Sequence, residues 1–168
     1  CENFNAQKYK QMSQNKALIS KFYTAFQRKD YVAMAACYHP EAHFRDEVFD
    51  LHSGDEAGAM WKMLLTASKD LRIEFRDVQA DEHSGAARWD AWYTFSRTGR
   101  SVHNIIHARF EFKNGLIYRH SDRFHFWRWS RQALGMTGWL LGWSGFLKKK
   151  IRATAMKGLN DFITKERL

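Results

Sequence analysis

The chain has 168 residues, of which 45% are hydrophobic and 15% aromatic, with one proline and a formal net charge of +9. This composition suits a single folded domain with a sizeable aromatic core or pocket, and it excludes a disordered or proline-rich chain. Two cysteines, Cys1 and Cys37, exclude a disulfide framework, and no apolar run reaches the roughly 18 residues of a membrane span.

Residues 1–14 read as a polar N-terminal extension. A first helix is predicted over about Gln14–Arg28, where Leu18, Ile19, Phe22, Tyr23, Ala25 and Phe26 recur at three- and four-residue spacing. Asp30 is a good N-cap for a short second helix, Tyr31–Tyr38, which His39-Pro40 ends. A short strand, Ala42–Val48, follows. Ser53-Gly54-Asp55-Glu56 reads as a capping box opening a third helix, with Met60, Trp61, Leu64 and Leu65 on its buried face. Four strands come next, predicted over Asp70–Ala80, Ala86–Ser96, Ser101–Lys113 and Leu116–Phe126, with Asn114-Gly115 marking the last hairpin. A Gly/Trp-rich segment over 135–145 leads to a basic helix, Phe146–Lys165, with an apolar stripe of Phe146, Leu147, Ile151, Ala155, Leu159, Phe162 and Ile163. The predicted class is α+β: a curved antiparallel sheet with three N-terminal helices forming an open cone over 15–127, plus an extra basic C-terminal helix within 128–168. A cone mouth of this kind is a common ligand site.

The charge is uneven. Residues 127–168 hold nine Lys or Arg against Asp161 and Glu166, which is +7 of the total +9. The basic tail is consistent with a lid on the cone or a cover for a dimer partner. It is also consistent with an amphipathic contact, through residues 139–168, with an anionic membrane surface. Nucleic acid is disfavoured because no reading motif accompanies the charge. A cytoplasmic location is expected; a lipid-modified Cys1 would instead place the protein at an envelope.

Three segments carry a family resemblance: Phe22-Tyr23-x-Ala25-Phe26-x-x-x-Asp30-Tyr31, then Tyr38-His39-Pro40-Glu41-Ala42-His43-Phe44-Arg45-Asp46 with Gly54, and Phe110 to Ile117 leading into Arg119 to His125. Over about Asn15–Trp127 the chain resembles the nuclear transport factor two-like superfamily, in its SnoaL-like, ketosteroid isomerase-like and limonene epoxide hydrolase-like branch. The resemblance implies a homodimer, a small hydrophobic ligand, and either cofactor-free acid–base catalysis or pure binding. Asp46 stands where ketosteroid isomerases carry their general base. The positions of the isomerase oxyanion donors hold Phe22 and Ile105, neither of which can donate a proton. Arg88-Trp89-Asp90 resembles the Arg-x-Asp of the epoxide hydrolases. Their second acid falls near His125, with Asp122 three residues earlier, and their water-orienting tyrosine and asparagine correspond to Phe44 and Asp46.

Asp46, Arg88, Asp90 and His125 are therefore the candidate catalytic groups: a carboxylate or histidine in an apolar cavity titrates near neutrality, and Arg88 would orient Asp90 or hold an anion. Phe22, Phe44, Trp61, Trp92, His107 and Asp122 are the candidate ligand-binding residues. One alternative stands beside this: Ala87, Trp89, Ala91, Tyr93 and Phe95 put an apolar stripe on the opposite strand face, which would leave Arg88 and Asp90 outside. No cofactor and no metal are expected. His103 and His107 lie about 13 Å apart along one strand, too far to converge on a zinc ion.

Overall fold

A computed structural model of the protein describes the backbone of residues 2–166 and the side chains of residues 5–166. Cys1, on which the lipid-anchor expectation rests, lies outside them. The elements are α1 (Glu2–Gln27), α2 (Tyr31–Ala35), β1 (Tyr38–Arg45), β2 (Asp50–Leu51), α3 (Gly54–Ala67), β3 (Arg72–Ala80), β4 (Ser84–Phe95), β5 (Arg100–Lys113), β6 (Leu116–Phe124), α4 (Phe126–Leu134), α5 (Met136–Leu141) and α6 (Gly145–Glu166).

The polar N-terminal stretch is not separate from the domain: it continues the first helix. Its Gln, Lys, Glu and Ala residues are good helix formers, and Lys8 pairs with Glu82 at 2.9 Å. Buried Asn15 anchors the helix by donating to the carbonyls of Asp81 and Glu82 at 2.9 and 3.1 Å. α2 is shorter than its pattern predicts. Asp30 does cap it, accepting from the Ala33 N–H at 2.9 Å, but Tyr38 already belongs to β1. Pro40 lies inside that strand, where the register to β6 shifts between Tyr38 and His43, a place that tolerates a missing N–H. Ser53 caps α3 by accepting from the Glu56 N–H at 3.1 Å, while the Glu56 carboxylate reaches back to the N–H of His52, not of Ser53. Met60, Trp61 and Leu65 are buried on this helix, whereas Leu64 is exposed. Gly54 is required at its start, since a Cβ there would stand 2.5 Å from the His39 carbonyl oxygen.

The six strands form one open sheet in the order β2-β1-β6-β5-β4-β3. All neighbours are antiparallel except β1 and β6, which run parallel, a correction to the all-antiparallel expectation. Asn114 and Gly115 both take positive φ, 53° and 75°, as a tight hairpin requires. Bulges in β3, between Arg76 and Gln79, and in β6, at Tyr118 between the partners of Glu111 and Phe112, bend the sheet around α1. Its concave face carries Trp89, Ile106, Phe110 and Ile117 into one core with Phe22, Tyr23 and Phe26 of α1 and Met60 and Trp61 of α3.

Past β6 the chain departs from the predicted pattern. The last strand stops at Phe124, and Phe126–Leu134 form a helix. Val102, Phe126, Trp129 and Ala133 make a second, smaller core at the end of the cone, with Tyr93, Phe95 and Phe124 packed against it. Gln132 of α4 holds the backbone of His103 by both groups, accepting from its N–H at 2.8 Å and donating to its carbonyl at 3.1 Å. Along α6, Leu147 and Leu159 are buried, and Ile151, Ala155, Phe162 and Ile163 are half-buried. Phe146 is exposed and leaves the expected stripe. α5 lies on α4 through a glycine face, because a Cβ on Gly138 would sit 1.8 Å from the Ser130 carbonyl oxygen. Gly138→Ala is expected to force α5 outward and cost about 1–3 kcal/mol in thermal unfolding; an unchanged melting curve would contradict that packing.

Candidate functional site

Side-chain alternation decides which polar groups enter the cone. On β6 it sends His120, Asp122 and Phe124 to the concave face, and on β1 it sends Ala42 and Phe44 there, with Asp46 next in phase just past the strand end.

Inside, a chain of polar groups runs through the aromatic core. The Trp61 indole N–H donates to the Tyr38 hydroxyl at 3.0 Å. Tyr38 Oη lies 2.7 Å from His120 Nδ1, and His120 Nε2 lies 3.0 Å from Asp122 Oδ1. The Trp89 indole N–H reaches the same carboxylate oxygen at 3.5 Å. With the Tyr38 hydroxyl donating to Nδ1 and the His120 Nε2–H donating to the carboxylate, every one of these bonds carries one proton. Burial, together with the field of Asp122, pushes the Tyr38 hydroxyl well above its ordinary pKa, so it stays protonated. Tyr23 is raised in the same direction by burial and by Asp122, and its hydroxyl is buried without a partner. Rings of Phe22, Phe44, Phe110 and Trp61 surround His120, with centroids 4.4–6.4 Å away. Tyr38→Phe is expected to cost about 1–3 kcal/mol in chemical unfolding, because it strands both the Trp61 N–H and His120 Nδ1; a neutral result would contradict this order of protons along the chain.

Asp46 occupies the rim of the cone. Its Oδ1 accepts from the backbone N–H groups of Val48 and Phe49 at 2.6 and 2.5 Å. Its Oδ2 carries no hydrogen bond among the described residues. Burial pushes the carboxyl up to about 7 from 3.8; the two N–H bonds oppose that shift, and the charges of Asp122 and Glu47 add to it. The C-terminal helices close around this rim. Lys148 of α6 pairs with Glu47 and stands 5.7 Å over the Phe126 ring. Trp129 of α4 donates to the Tyr93 hydroxyl at 2.8 Å. Burial raises the Tyr93 pKa, and Asp46 contributes in the same direction.

The other candidates lie elsewhere. Register pairs Arg88 with His107, Asp90 with Ile105 and Trp92 with His103, all on the convex face. The opposite-face alternative is the one the structure adopts: Ala87, Trp89 and Ala91 are the buried, inward residues of β4. Asp90 is buried, with Arg76 Nη1 at 2.7 Å from Oδ2 and His103 Nε2 at 2.8 Å from Oδ1. The arginine contact is a close ion pair without hydrogen-bond alignment. Burial works against the Asp90 charge, but the His103 hydrogen bond and Arg76 outweigh it and hold its pKa below the ordinary carboxylate value. His107 is exposed on that face, and His125 is exposed at the start of α4. Phe22, Phe44, Trp61 and Asp122 thus meet inside the cone with Asp46 at its rim. Arg88, Asp90, Trp92 and His107 form a separate outer group.

Tyr38, His120 and Tyr93 are the inner polar residues that the sequence-based site omitted. The signal for His120 was present, since His120-x-Asp122-x-Phe124 is an inward alternation on one strand. A third grouping, His43, Asp50 and His52, brings its ligand atoms within 4.8 Å of one another on the β1–β2 edge. Arg45 Nε stands 3.9 Å from the other Asp50 oxygen, a cation beside the very carboxylate that a metal would need.

The model of the SnoaL-like domain matches residues 19–120. The chain belongs to the SnoaL-like domain family. This places it in the nuclear transport factor two-like superfamily, and solved structures agree with its fold. A candidate polyketide cyclase from Xanthomonas campestris is 19% identical with a TM-score of 0.62, covering 73% of this chain and 98% of its own. An epoxide hydrolase of limonene epoxide hydrolase-like type from M. tuberculosis is 13% identical with a TM-score of 0.62, covering 77% and 97%. TerC, co-crystallised with polyporic acid, is 14% identical with a TM-score of 0.61, covering 73% and 99%. No match is found among the curated proteins. For a SnoaL-like domain the covered 19–120 segment includes Phe22, Tyr38, Phe44, Asp46, Trp61 and His120, while the helices over the rim lie beyond it.

Proposed function

We propose that this SnoaL-like protein binds a small hydrophobic molecule at the rim and interior of its cone and uses Asp46 for cofactor-free proton transfer. The observation that carries this reading is the Asp46 carboxyl, pushed up to about 7, with two N–H groups fixing Oδ1 and Oδ2 left free. A group with that affinity exchanges its proton near neutral pH, as general acid–base work requires. Asp46 takes a proton from the ligand or returns one. Tyr38, His120 and Asp122 present fixed hydrogen-bonding groups deeper in the cone. Isomerisation, cyclisation, dehydration and epoxide opening are all within reach of such a site, and TerC's crystallisation with polyporic acid supports a ligand in this fold. Because aromatic rings fill the interior, a ligand that reaches Tyr38 and His120 has to displace some of them.

Native mass spectrometry of the purified protein, followed by denaturing extraction, tests the binding half of this reading. The expected result is a bound apolar small molecule whose retention falls in Phe44→Asp. A protein that remains empty, and whose tryptophan fluorescence ignores a panel of apolar aromatic ligands, would overturn it.

A second reading, a non-catalytic module that dimerises through the convex face, is favoured by one observation. Arg88 Nε is shut off from solvent without a partner on that face, beside half-buried Trp92, which stacks on His103 at 4.6 Å with Arg72 4.2 Å above its ring. We propose that a second copy covers this face. Light scattering is expected to give a dimer, and Trp92→Glu to give a monomer; a monomeric parent protein would refute the arrangement.

A further inference from the structure

The segment 136–146 presents its large apolar side chains outward. Met136, Trp139, Leu140, Leu141, Trp143 and Phe146 are all exposed, Trp143 at 77% and Phe146 at 72%. Close packing dictates this orientation. The face of α5 that meets the protein is Gly138, continued by Gly142, and a Cβ on either would stand 1.8 or 2.0 Å from an atom of Ser130. With glycines turned inward, the bulky residues of the same segment have only solvent to face. Trp143 satisfies its own N–H locally, donating to the Leu140 carbonyl at 2.8 Å, so its ring is free to enter an apolar phase without stranding a donor.

Charge frames this patch. Residues 123–160 contain eight Lys or Arg and no Asp or Glu. Phe146, Lys149, Lys150 and Lys157 share one exposed stripe of α6, and Arg128 and Arg131 are exposed on α4. An apolar patch with tryptophans at its edge and lysines behind it matches a bilayer interface: the rings seat among acyl chains and headgroups while the ammonium groups meet anionic phosphates. Six large exposed apolar side chains within residues 136–146 are unusual on a monomeric soluble surface. No described helix is long and apolar enough to cross a membrane, so the contact is peripheral.

We infer that residues 136–150 form a peripheral docking surface for anionic membranes, placing the cone rim against the lipid. α4 and α6 tie this surface to the rim, since Trp129 of α4 bonds Tyr93 and Lys148 of α6 pairs with Glu47, next to Asp46. The inference stands apart from the proton chemistry assigned to Asp46, which is absent from its test.

Co-sedimentation of the full chain with vesicles of phosphatidylcholine alone, and of phosphatidylcholine with phosphatidylglycerol, tests it. Binding is expected to the second only, and to weaken as salt rises. Lys149→Glu with Lys150→Glu should reduce the partition coefficient at least tenfold, since each lysine near the surface contributes about 1 kcal/mol, roughly fivefold. Trp139→Ser with Trp143→Ser should reduce it by a similar factor while leaving the melting temperature unchanged, because both rings are exposed. Equal recovery with both vesicles, no recovery with either, or full binding by the tryptophan variant would overturn the inference. So would a concentration-dependent oligomer that the tryptophan variant abolishes in the absence of vesicle binding, which would assign the patch to a self-contact.

Discussion

Asp46→Asn is expected to stabilise the protein at pH 8, to do so by about 1.5 kcal/mol at pH 5, and to leave it nearly unchanged only below the ordinary aspartate pKa of 3.8. The asparagine keeps an oxygen for the Val48 and Phe49 N–H groups and replaces the protonated carboxyl with a neutral group of the same shape. The folded-state pKa, about 7, lies above the ordinary 3.8. Between about pH 4 and 7 the folded protein therefore keeps a proton that the unfolded chain has released, and stability falls as pH rises through that window. At about 1.4 kcal/mol per pH unit the full penalty approaches 4 kcal/mol above pH 7. The amide removes it. For a chain of this length that corresponds to a rise of roughly 10 °C in Tm at pH 8, read by calorimetry at the two pH values. Equal or greater destabilisation at pH 8 would mean that the carboxylate is favoured in the fold.

Phe22→Ala has the largest expected cost among single substitutions in the core. The Phe22 ring is fully buried and meets five others, Tyr23, Phe26, Tyr38, Trp61 and His120, at centroid distances of 5.2–6.4 Å. Several of these are edge-to-face, so truncation removes quadrupolar contacts as well as buried area. A loss of about 3–5 kcal/mol is expected in denaturant unfolding. The same substitution also removes the ring that supports the Trp61–Tyr38–His120 chain. Tyr9→Ala, at an exposed position of the same helix, should change stability by less than about 0.5 kcal/mol. A small effect at Phe22 would show that the aromatic interior repacks readily, which would itself favour entry of a ligand there.

The fold was legible because its signals were local and redundant: Asp30 and Ser53 as caps, Asn114-Gly115 as a hairpin, and an apolar stripe on α1 that needed one curved sheet to cover it. The ends of elements were less so. The polar start of α1 carries no apolar stripe, yet tertiary contacts through Lys8 and Asn15 keep it helical. The start of α4 was hidden because Phe124-His125-Phe126 continues the aromatic–polar alternation of β6, while the docking of Gln132 on His103 belongs to the tertiary structure. The site divided along strand parity. Arg88-x-Asp90 has correct spacing, but spacing along a strand says nothing about which face is concave, and the buried ladder of Ala87, Trp89 and Ala91 turned it outward. Asp46 was accessible from its place after the second helix, whereas Tyr93, whose pKa it raises, sits on a distant strand with no sequence signal linking the two.

Asp46 as a proton carrier is tested most directly by titrating its side-chain carboxyl, monitored by carbon-detected NMR with Asp46→Asn to assign the signal. A midpoint near pH 7 is predicted, moved by an apolar ligand that enters the rim. A midpoint near the ordinary aspartate value, about 4, would contradict it and remove the proton carrier on which the proposed chemistry depends.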